Sequence, residues 1–358
     1  MKKNLLFLTL AIAMAFVGCK KENDNPVDPP HDLIGDGLFV LNEGTFTYAN
    51  SSLSFYDPEA DTVANNLFFR VNNAPIGDVA QSLTLQGDDL YIVVNNSKYI
   101  YKVNAKSLLY KAKLEGFSSP RYMLVVDENK AYVSDLVRTG IWVVDMNTFS
   151  HSKYIETGNT TEAMVKVGNE VFVSNWSNYY TDGATSNNSI QVIDCVNDSL
   201  VDEIAVAQEP NAMVVDKEGH IWVICSGNYM GEQDPALLCI DPATRDIVKR
   251  YDFTPGADYP SGLAIDGEGE NIYFMNGGMS ALSVYKMSIY SDEIPASPFI
   301  TSEGKVFYSL KVDPENGDVY VTNAKNYVMN GDVERYSSNG QLISTFGTGI
   351  IPAYMLFN

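Results

Sequence analysis

The stretch IPAYMLFN (residues 351–358) decides the fold, because it repeats a motif that also occurs inside the chain. The shared pattern is a proline, two variable residues, a methionine, two apolar residues and then Asp or Asn. PNAMVVD (210–216) follows this pattern, and PRYMLVVD (120–127) differs by one extra apolar residue. Each internal copy precedes a tight turn and a second apolar strand. The copy at 352–358 therefore needs a partner strand from elsewhere in the chain.

Short strands of this second type recur along the sequence. Their apolar and aromatic residues run into a small residue, as expected for β-strands that end in a turn. They are FVLN ending at Asn42, IVVN at Asn95, YVSD at Asp135, FVSN at Asn175, WVIC at Cys225, YFMN at Asn276 and YVTN at Asn323. Successive ends lie 53, 40, 40, 50, 51 and 47 residues apart. A period of about 40–50 residues built from short strands is typical of β-propeller blades.

Each repeat contains further strands on both sides of this one. Upstream strands include TEAMVKV (161–167) and PSGLAID (260–266), and downstream strands include IWVVD (141–145) and IQVID (190–194). A fourth, more variable strand follows, and we expect no amphipathic helix after residue 18. The sequence thus predicts an all-β fold, a seven-bladed β-propeller with four antiparallel strands per blade.

The first repeat lacks an upstream strand, because a polar segment precedes FVLN (39–42). Residues 352–358 can supply the missing strand by pairing beside Leu38–Asn42. Such pairing closes the ring and removes an unpaired inner edge, which would otherwise invite aggregation. We therefore predict one propeller domain at 37–358, closed by the C-terminal strand within the first blade.

The N-terminal segment is predicted to lie outside the propeller. Two lysines precede a short apolar run (5–17), as in a secretory signal peptide, and the run is too short to span a bilayer comfortably. A glycine followed by Cys19 matches the end of a bacterial lipoprotein signal. We predict a signal peptide at 1–18, lipidation of Cys19, and a flexible tether at 19–36 that is rich in charged residues, Asn and Pro.

The chain is strongly acidic, with a formal charge of -21 that becomes -23 when the two lysines of the signal peptide are removed. This charge disfavours nucleic acids and anionic membrane surfaces as partners. The predicted membrane contact is therefore the lipid anchor alone. Cys195, Cys225 and Cys239 remain after the lipidated cysteine, and an odd, sparse set does not make a disulfide framework. Their fate stays open.

A ligand-binding surface is predicted at one mouth of the central channel. In a propeller the first strands line the channel, and the loops after the second strands converge with the first-strand starts on one face. Tyr, Trp, Phe, Asn, Ser and Gly dominate these loops, as in NWSNYYTDGATSNNS (175–189). This composition is typical of recognition surfaces. The opposite face carries short charged turns.

Three groups of residues on this face are candidate ligand contacts. The strand-end residues are Asn42, Asn95, Asp135, Asn175, Asn276 and Asn323. The loop aromatics are Phe46, Tyr48, Trp176, Tyr179, Tyr229 and Tyr327. The first-strand starts are Gln81, Arg121, Tyr122, Glu162, Asn211, Tyr308 and Tyr354.

Each group also has a purely structural interpretation. Strand-end side chains commonly satisfy backbone groups in turns, and loop aromatics also pack on neighbouring loops. Arg121 would meet either an anionic group of a ligand or the carboxylates of Glu162 or Asp135. These alternatives stay open at the level of the sequence.

The sequence offers little for catalysis. The three histidines lie in the tether (His31), an outer strand (His151) and a turn on the opposite face (His220), away from the predicted binding loops. No Ser-His-Asp set, His-based metal cluster or phosphate-binding glycine loop is recognisable. Cys225 is best explained as a small buried residue. We therefore predict a binding protein with no catalytic residues, no metal site and no catalytic cofactor.

The blade sequence NSIQVIDCVNDSLVDEIAVAQEPNAMVVDKEGHIWVIC (188–225) resembles YncE-like propellers, and the resemblance extends over essentially the whole predicted domain. With Cys19, the acidic residues shortly after it and the face rich in Tyr, Asn and Trp, the chain resembles the BtuG-type surface lipoproteins of Bacteroidetes. That resemblance implies capture of a corrinoid such as cobalamin (vitamin B12) and its transfer to a TonB-dependent outer-membrane transporter. It also implies a lipid-anchored outer-membrane protein exposed at the cell surface.

Three other functions stay open. Stacked Trp and Tyr side chains would equally suit a glycan-binding surface lipoprotein, and the same face would suit a protein-interaction platform docked on a transporter. A calcium ion held by Asp135, Glu162 and the ring of Asn side chains would instead indicate a hydrolase like the propeller lactonases. The blade pattern specifies the fold and leaves these functions undistinguished.

Overall fold

The computed structural model describes residues 34–177, 187–228, 233–278 and 281–358. Cys19, Tyr179 and Tyr229, which are among the predicted functional residues, lie outside these ranges. The strands form seven separate antiparallel sheets, and these are the seven predicted blades. The first strand of each blade contacts the first strands of both neighbouring blades, so that together they close a ring around the channel. The all-β propeller is thus confirmed.

Strands are numbered along the chain, and blades by the order of their second strands. Blade 1 begins with β1 (Leu38–Asn42), β2 (Ser52–Asp57) and β3 (Thr62–Ala64), followed by helix α1 (Leu67–Asn72). Blade 2 contains β4 (Ala80–Gln86), β5 (Asp89–Val94), β6 (Tyr99–Asn104) and β7 (Tyr110–Glu115). Blade 3 contains β8 (Pro120–Asp127), β9 (Lys130–Asp135), β10 (Gly140–Asp145) and β11 (Ser150–Glu156).

The remaining blades follow the same order from the channel outward. Blade 4 contains β12 (Met164–Val167), β13 (Glu170–Ser174), β14 (Ser189–Asp194) and β15 (Ser199–Ala205). Blade 5 contains β16 (Pro210–Val215), β17 (Ile221–Cys225), β18 (Ala236–Ile240) and β19 (Ile247–Asp252). Blade 6 contains β20 (Ser261–Ile265), β21 (Asn271–Asn276) and β22 (Ser283–Ser288). Blade 7 contains β23 (Phe307–Val312), β24 (Val319–Asn323), β25 (Asn330–Tyr336) and β26 (Leu342–Ile350), and β27 (Pro352–Phe357) completes blade 1.

The C-terminal strand closes the ring as predicted. β1 lies between β27 and β2, with Val40 opposite Met355 in the β1–β27 ladder. Beyond the ladder, the Asn358 N–H donates to the Gly37 carbonyl at 2.9 Å. Both ends of the described propeller therefore lie together in blade 1.

Blade 6 has an abbreviated outer edge. Within the described residues its fourth position holds a single bridge, between Val284 of β22 and Ile300, instead of a full strand. The segment that reaches this position contains Pro295 and Pro298. Proline has no N–H to donate to a strand ladder, so a regular edge strand is disfavoured there.

Helix α1 is the element that the sequence did not predict. It joins blades 1 and 2, and its buried Leu67 and Phe68 pack in the core between these blades. Six residues are too few to show a helical period in the sequence, which explains why the helix was missed. No helix in the described ranges is both long enough and apolar enough to cross a membrane.

The apolar core is divided among the boundaries between blades. Seven clusters of buried side chains each join two neighbouring blades, and together they run around the ring. At the closing boundary Tyr56 stacks on Phe346 with ring centroids 3.9 Å apart, and Met355 of β27 belongs to the same cluster. This packing gives the loops at the channel mouth a rigid support.

Candidate functional site

The candidate site lies at the channel mouth, where loops of blades 1 and 7 meet the first-strand starts of neighbouring blades. Tyr308, at the start of β23, donates a hydrogen bond to the Glu43 carboxylate in the first loop at 3.0 Å. The ring of Tyr327, from the loop after β24, lies edge-on to Tyr308 with centroids 6.0 Å apart. These contacts join blade 7 to blade 1 across the closing boundary.

Arg121 lies at the centre of the polar part of this mouth. Its Nε and Nη2 donate to the two Glu162 carboxylate oxygens at 2.8 and 2.7 Å, and its Nη1 donates to Gln81 Oε1 at 2.5 Å. Of the partners considered from the sequence, Glu162 is therefore the one observed. Burial acts to lower the pKa of Arg121, but the Glu162 carboxylate outweighs it and holds the pKa above its ordinary value.

Aromatic rings surround this ion pair. The Arg121 guanidinium lies 5.4 Å from the centroid of the Trp176 ring, which is a cation–π distance. The rings of Tyr122 and Tyr354 approach with centroids 6.3 Å apart. Burial, followed by the nearby Glu162 charge, raises the pKa of Tyr122, so its hydroxyl stays protonated at neutral pH.

Glu43 is a site residue that the sequence analysis missed. It follows the strand end of β1 directly, and its carboxyl is half-buried beside Tyr308. Burial raises the pKa of Glu43, although the Tyr308 hydrogen bond and the Arg121 charge act in the opposite direction. The signal in the sequence that could have identified Glu43 was an acidic residue immediately after a strand end.

Lys311 is a second residue that sequence reasoning missed. It lies on the channel-lining strand β23, three residues after Tyr308, and is half-buried. Among the described residues its ammonium group has no hydrogen-bond or ion-pair partner, and burial lowers its pKa. The signal in the sequence was a lysine between the apolar residues at the end of a channel-lining strand. An unpaired amine in a channel can attract an anionic group.

Exposed aromatic side chains occur in the loops and at the first-strand starts on this same face. We use the name aromatic rim for Phe46, Tyr48, Tyr308 and Tyr327, whose exposed fractions are 65, 72, 38 and 45%. Large apolar side chains usually bury more of their surface, so a group of them at one channel mouth indicates a binding surface. The loop interpretation from the sequence is consistent with this exposure for Phe46, Tyr48 and Tyr327.

Three of the strand-end residues are fully buried and bound within the protein. Asn42 Nδ2 donates to Ser54 Oγ at 3.0 Å, and its Oδ1 accepts the Gly349 N–H at 3.0 Å. Asn175 Nδ2 donates to the Thr160 carbonyl at 2.7 Å. Such contacts hold the strand ends and loops in place. These residues therefore have the structural role that the sequence analysis weighed against ligand contact.

Asp135 shows the same role most clearly. Its carboxylate accepts backbone N–H groups of Ser118, Ser119, Val137 and Arg138 at 3.0–3.1 Å. The Glu162 carboxylate is paired with Arg121, so both carboxylates considered for calcium already have partners within the protein.

The other polar candidates make local contacts at the same face. Asn95 donates to Ser119 Oγ at 2.9 Å, Asn211 donates to Ser226 Oγ at 2.7 Å, Asn276 donates to Asp258 Oδ1 at 2.9 Å, and Asn323 Oδ1 accepts the Val306 N–H at 3.1 Å. The described geometry thus concentrates the candidate site on blades 1, 2, 3, 4 and 7.

The fold and this mouth define a seven-bladed propeller with a charged floor and an aromatic rim at one end of its channel. The chain belongs to the family described as Domain of unknown function (DUF5074), whose model matches residues 36–358. A comparison with curated protein sequences finds no match.

Solved propeller structures resemble this chain closely in fold and weakly in sequence. A quinonprotein alcohol dehydrogenase-like protein from Bacteroides thetaiotaomicron has a TM-score of 0.69 and 16% identity, over 90% of this chain and 79% of that chain. A putative 6-phosphogluconolactonase from Bacteroides fragilis has a TM-score of 0.66 and 12% identity, over 92% and 99%. The periplasmic gluconolactonase of Pseudomonas aeruginosa has a TM-score of 0.65 and 14% identity, over 89% and 99%.

At these identities the similarity shows the fold alone. It fits the predicted YncE-like propeller. Two of these three proteins are described as lactonases, so the comparisons lend no support to the prediction that this chain lacks enzymatic activity.

Proposed function

We propose that the channel mouth binds a corrinoid, and that the protein is a cell-surface lipoprotein which passes this ligand to a TonB-dependent outer-membrane transporter. The observation that carries the proposal is the aromatic rim. Its exposed rings lie on the same face as a floor whose central charge, Arg121, is already neutralised by Glu162. Because Arg121 is already paired, this part of the floor favours a bulky, largely uncharged ligand over a small anion.

The chemistry of a corrinoid suits such a surface. It is wide and flat, and its fringe of amide arms needs many hydrogen-bonding groups around an apolar contact area. Burying some hundreds of Å² of apolar surface at about 25 cal/mol per Å² provides several kcal/mol before ordering costs. A rigid propeller keeps those ordering costs low.

The first experiment is a titration of the purified protein with cyanocobalamin and cobinamide by calorimetry, together with the absorption spectrum of the cobalt chromophore. We expect tight one-to-one binding. Absence of heat and of a spectral change at tens of micromolar protein would overturn the corrinoid proposal. Oligosaccharide arrays would then test the glycan alternative.

Variants locate the binding surface. Phe46→Ala, Tyr48→Ala and Tyr327→Ala each remove one exposed ring, and we expect each to weaken binding by about tenfold, as for interface hot spots. Tyr290→Ala is the matched control, since Tyr290 is 57% exposed and its hydroxyl bonds to Glu218 on the turn face. Equal effects at all four positions would place the ligand elsewhere.

Lactone hydrolysis is a second candidate, favoured by the Glu43–Tyr308 pair. A half-buried carboxyl with a raised pKa is suited to proton transfer, and Tyr308 is within hydrogen-bonding distance of it. Incubation with gluconolactone in the presence and absence of Ca²⁺ tests this candidate. Turnover of gluconolactone that is lost in Glu43→Gln would establish a hydrolase. If the corrinoid proposal is right, we expect a rate of hydrolysis no faster than that of the uncatalysed reaction.

A further inference from the structure

A group of metal-ligating side chains lies on the turn face of blade 5, at the opposite end of the molecule from the channel mouth. Asp216 follows β16, His220 precedes β17, and Cys239 lies in β18. One ligand atom from each of the three lies within 4.8 Å of the other two. These residues are far apart in sequence or separated by a turn, which explains why the sequence did not indicate the group.

The Asp216 carboxylate is held in one orientation. Its Oδ1 accepts the backbone N–H groups of Glu218 and His220 at 2.9 Å, and its Oδ2 accepts Trp222 Nε1 at 2.8 Å. Oδ2 also lies 3.8 Å from His220 Nδ1. Hydrogen bonds of this kind orient metal-ligating carboxylates from outside the coordination sphere.

The same two positions of the blade repeat face each other in blade 7. In blade 7 the residue before the second strand is Asp318, and Arg335 of the third strand forms an ion pair with it at 2.7 Å. The strand register is the same in blade 5, where the equivalent residues are His220 and Cys239. Blade 5 therefore carries two metal-ligating side chains where blade 7 carries a salt bridge.

The donor set favours a metal that binds sulfur. Cys239 is buried, and its Sγ lies within 4.8 Å of the ligand atoms of the other two residues. A bound metal must displace the thiol proton to solvent, which thiophilic ions such as Zn²⁺ do and hard ions such as Mg²⁺ or Ca²⁺ do not. One thiolate, one carboxylate and one neutral imidazole balance the charge of a divalent ion.

We propose that Asp216, His220 and Cys239 bind one thiophilic divalent ion of the Zn²⁺ class. The metal–sulfur, metal–nitrogen and metal–oxygen bonds come from Cys239 Sγ, one ring nitrogen of His220 and Asp216 Oδ2, and water completes the tetrahedron. Tetrahedral ligands around Zn²⁺ lie about 3.3–3.8 Å apart, so the group must contract by roughly 1 Å. The side chain of His220 is 34% exposed on a turn, so its ring can make this movement.

Cobalt titration of the full chain tests the site directly. Co²⁺ bound to a thiolate gives a near-ultraviolet charge-transfer band, and four-coordinate Co²⁺ gives intense visible bands. We expect both with a stoichiometry of one per chain, and loss of both when Zn²⁺ is added. Full-length protein that shows no thiolate band at millimolar Co²⁺ would overturn the proposal.

Two variants and a matched control assign the ligands. Cys239→Ser should abolish the charge-transfer band, and His220→Gln should weaken Co²⁺ binding at least tenfold. Cys195→Ser is the control, because Cys195 is another buried free cysteine, located in blade 4. A band that survives in Cys239→Ser but disappears in Cys195→Ser would also overturn the assignment. Since His220 is on the surface, His220→Gln gives a result even where Cys239→Ser folds poorly.

Discussion

Arg121 is the residue on which the polar floor of the channel mouth depends. It joins Gln81 of blade 2, Glu162 of blade 4 and Trp176 through one guanidinium group. The side chain of Glu162 is only 4% exposed, so its carboxylate has little water to replace the lost partner. Removing one member of such a pair is therefore much more costly than removing both.

We expect Arg121→Met to lower the free energy of unfolding by about 3–5 kcal/mol, because it leaves the Glu162 carboxylate buried and unpaired. The double variant Arg121→Met, Glu162→Met should recover most of that loss. Chemical denaturation of the wild type, both single variants and the double variant measures the coupling. Lys113→Met, which removes an exposed pair with Glu115, is the control and should change stability by at most about 1 kcal/mol. A single variant as stable as the control would contradict the prediction.

Glu209 gives a pH-dependent prediction. It is 4% exposed, and burial raises its pKa from 4.5 to about 7. A carboxyl whose pKa is raised in the folded state stabilises the fold most below its unfolded pKa, and that stability is lost as pH rises through the folded value. Relative to Glu209→Gln, the free energy of unfolding of the wild type should therefore fall by about 3 kcal/mol between pH 4 and pH 8. Parallel urea titrations across this range measure it, and a constant difference between the two proteins would refute the assignment.

At the scale of elements, the closing strand β27 carries the sharpest prediction. Its Met355 is almost fully buried in the cluster that joins blades 7 and 1, and its backbone covers the inner edge of β1. Removing residues 352–358 exposes that edge and opens the cluster. The truncation should lower the free energy of unfolding by more than the ~2–5 kcal/mol expected for Met355→Ala alone. Thermal unfolding and size-exclusion chromatography should show a lower Tm and self-association.

A peptide with the sequence PAYMLFN provides the control for this truncation. Added in trans, it can pair with β1 as an extra strand, and it should restore the monomer and part of the lost Tm. A peptide of the same composition in scrambled order should have no effect. A truncated protein that stays monomeric with an unchanged Tm would show that β27 is dispensable.

Most strands were predictable because the pattern that defines them is local. Each strand shows alternation with a period of two and turn residues at its end, and both signals lie within a short window of the sequence. The same window then recurs about every 45 residues. Even β27 was recognised by its likeness to the internal copies. Helix α1 and the bridge at Ile300 in blade 6 depart from the repeat. They were missed because a six-residue helix and a proline-interrupted edge have no periodic signal.

The contacts of the candidate site were less predictable because they join distant residues. Tyr308 and Glu43 are separated by 265 positions, and Glu162 and Arg121 by 41. The fold brings both pairs to one channel mouth, yet the sequence left the partner of Arg121 open. The Asp216, His220 and Cys239 group illustrates the same limit, since only the register of β17 and β18 brings the cysteine to the turn.

At the scale of the whole molecule, the ring has no intrinsic beginning. Each of the seven core clusters joins two neighbouring blades, and the blade that holds both ends contributes to two of them like the others. Asn358 Nδ2 donates to the Gly35 carbonyl at 2.7 Å, so a short linker can join the two ends of the propeller. The position of the break should therefore be exchangeable between blades.

We predict that a circular permutant opened between Glu128 and Asn129, with its present ends joined by a Gly-Ser linker, folds as a monomer. The new break lies in the exposed turn between β8 and β9, so β8 would become the closing strand of blade 3. Exposed turns are the sites at which permutation is tolerated. Because this turn is on the face opposite the channel mouth, the permutant should bind cyanocobalamin as the unpermuted protein does. A matched permutant opened between Val133 and Ser134, inside β9, should fail to fold. If both fail, the β1–β27 seam has a role in folding that the other blades cannot supply.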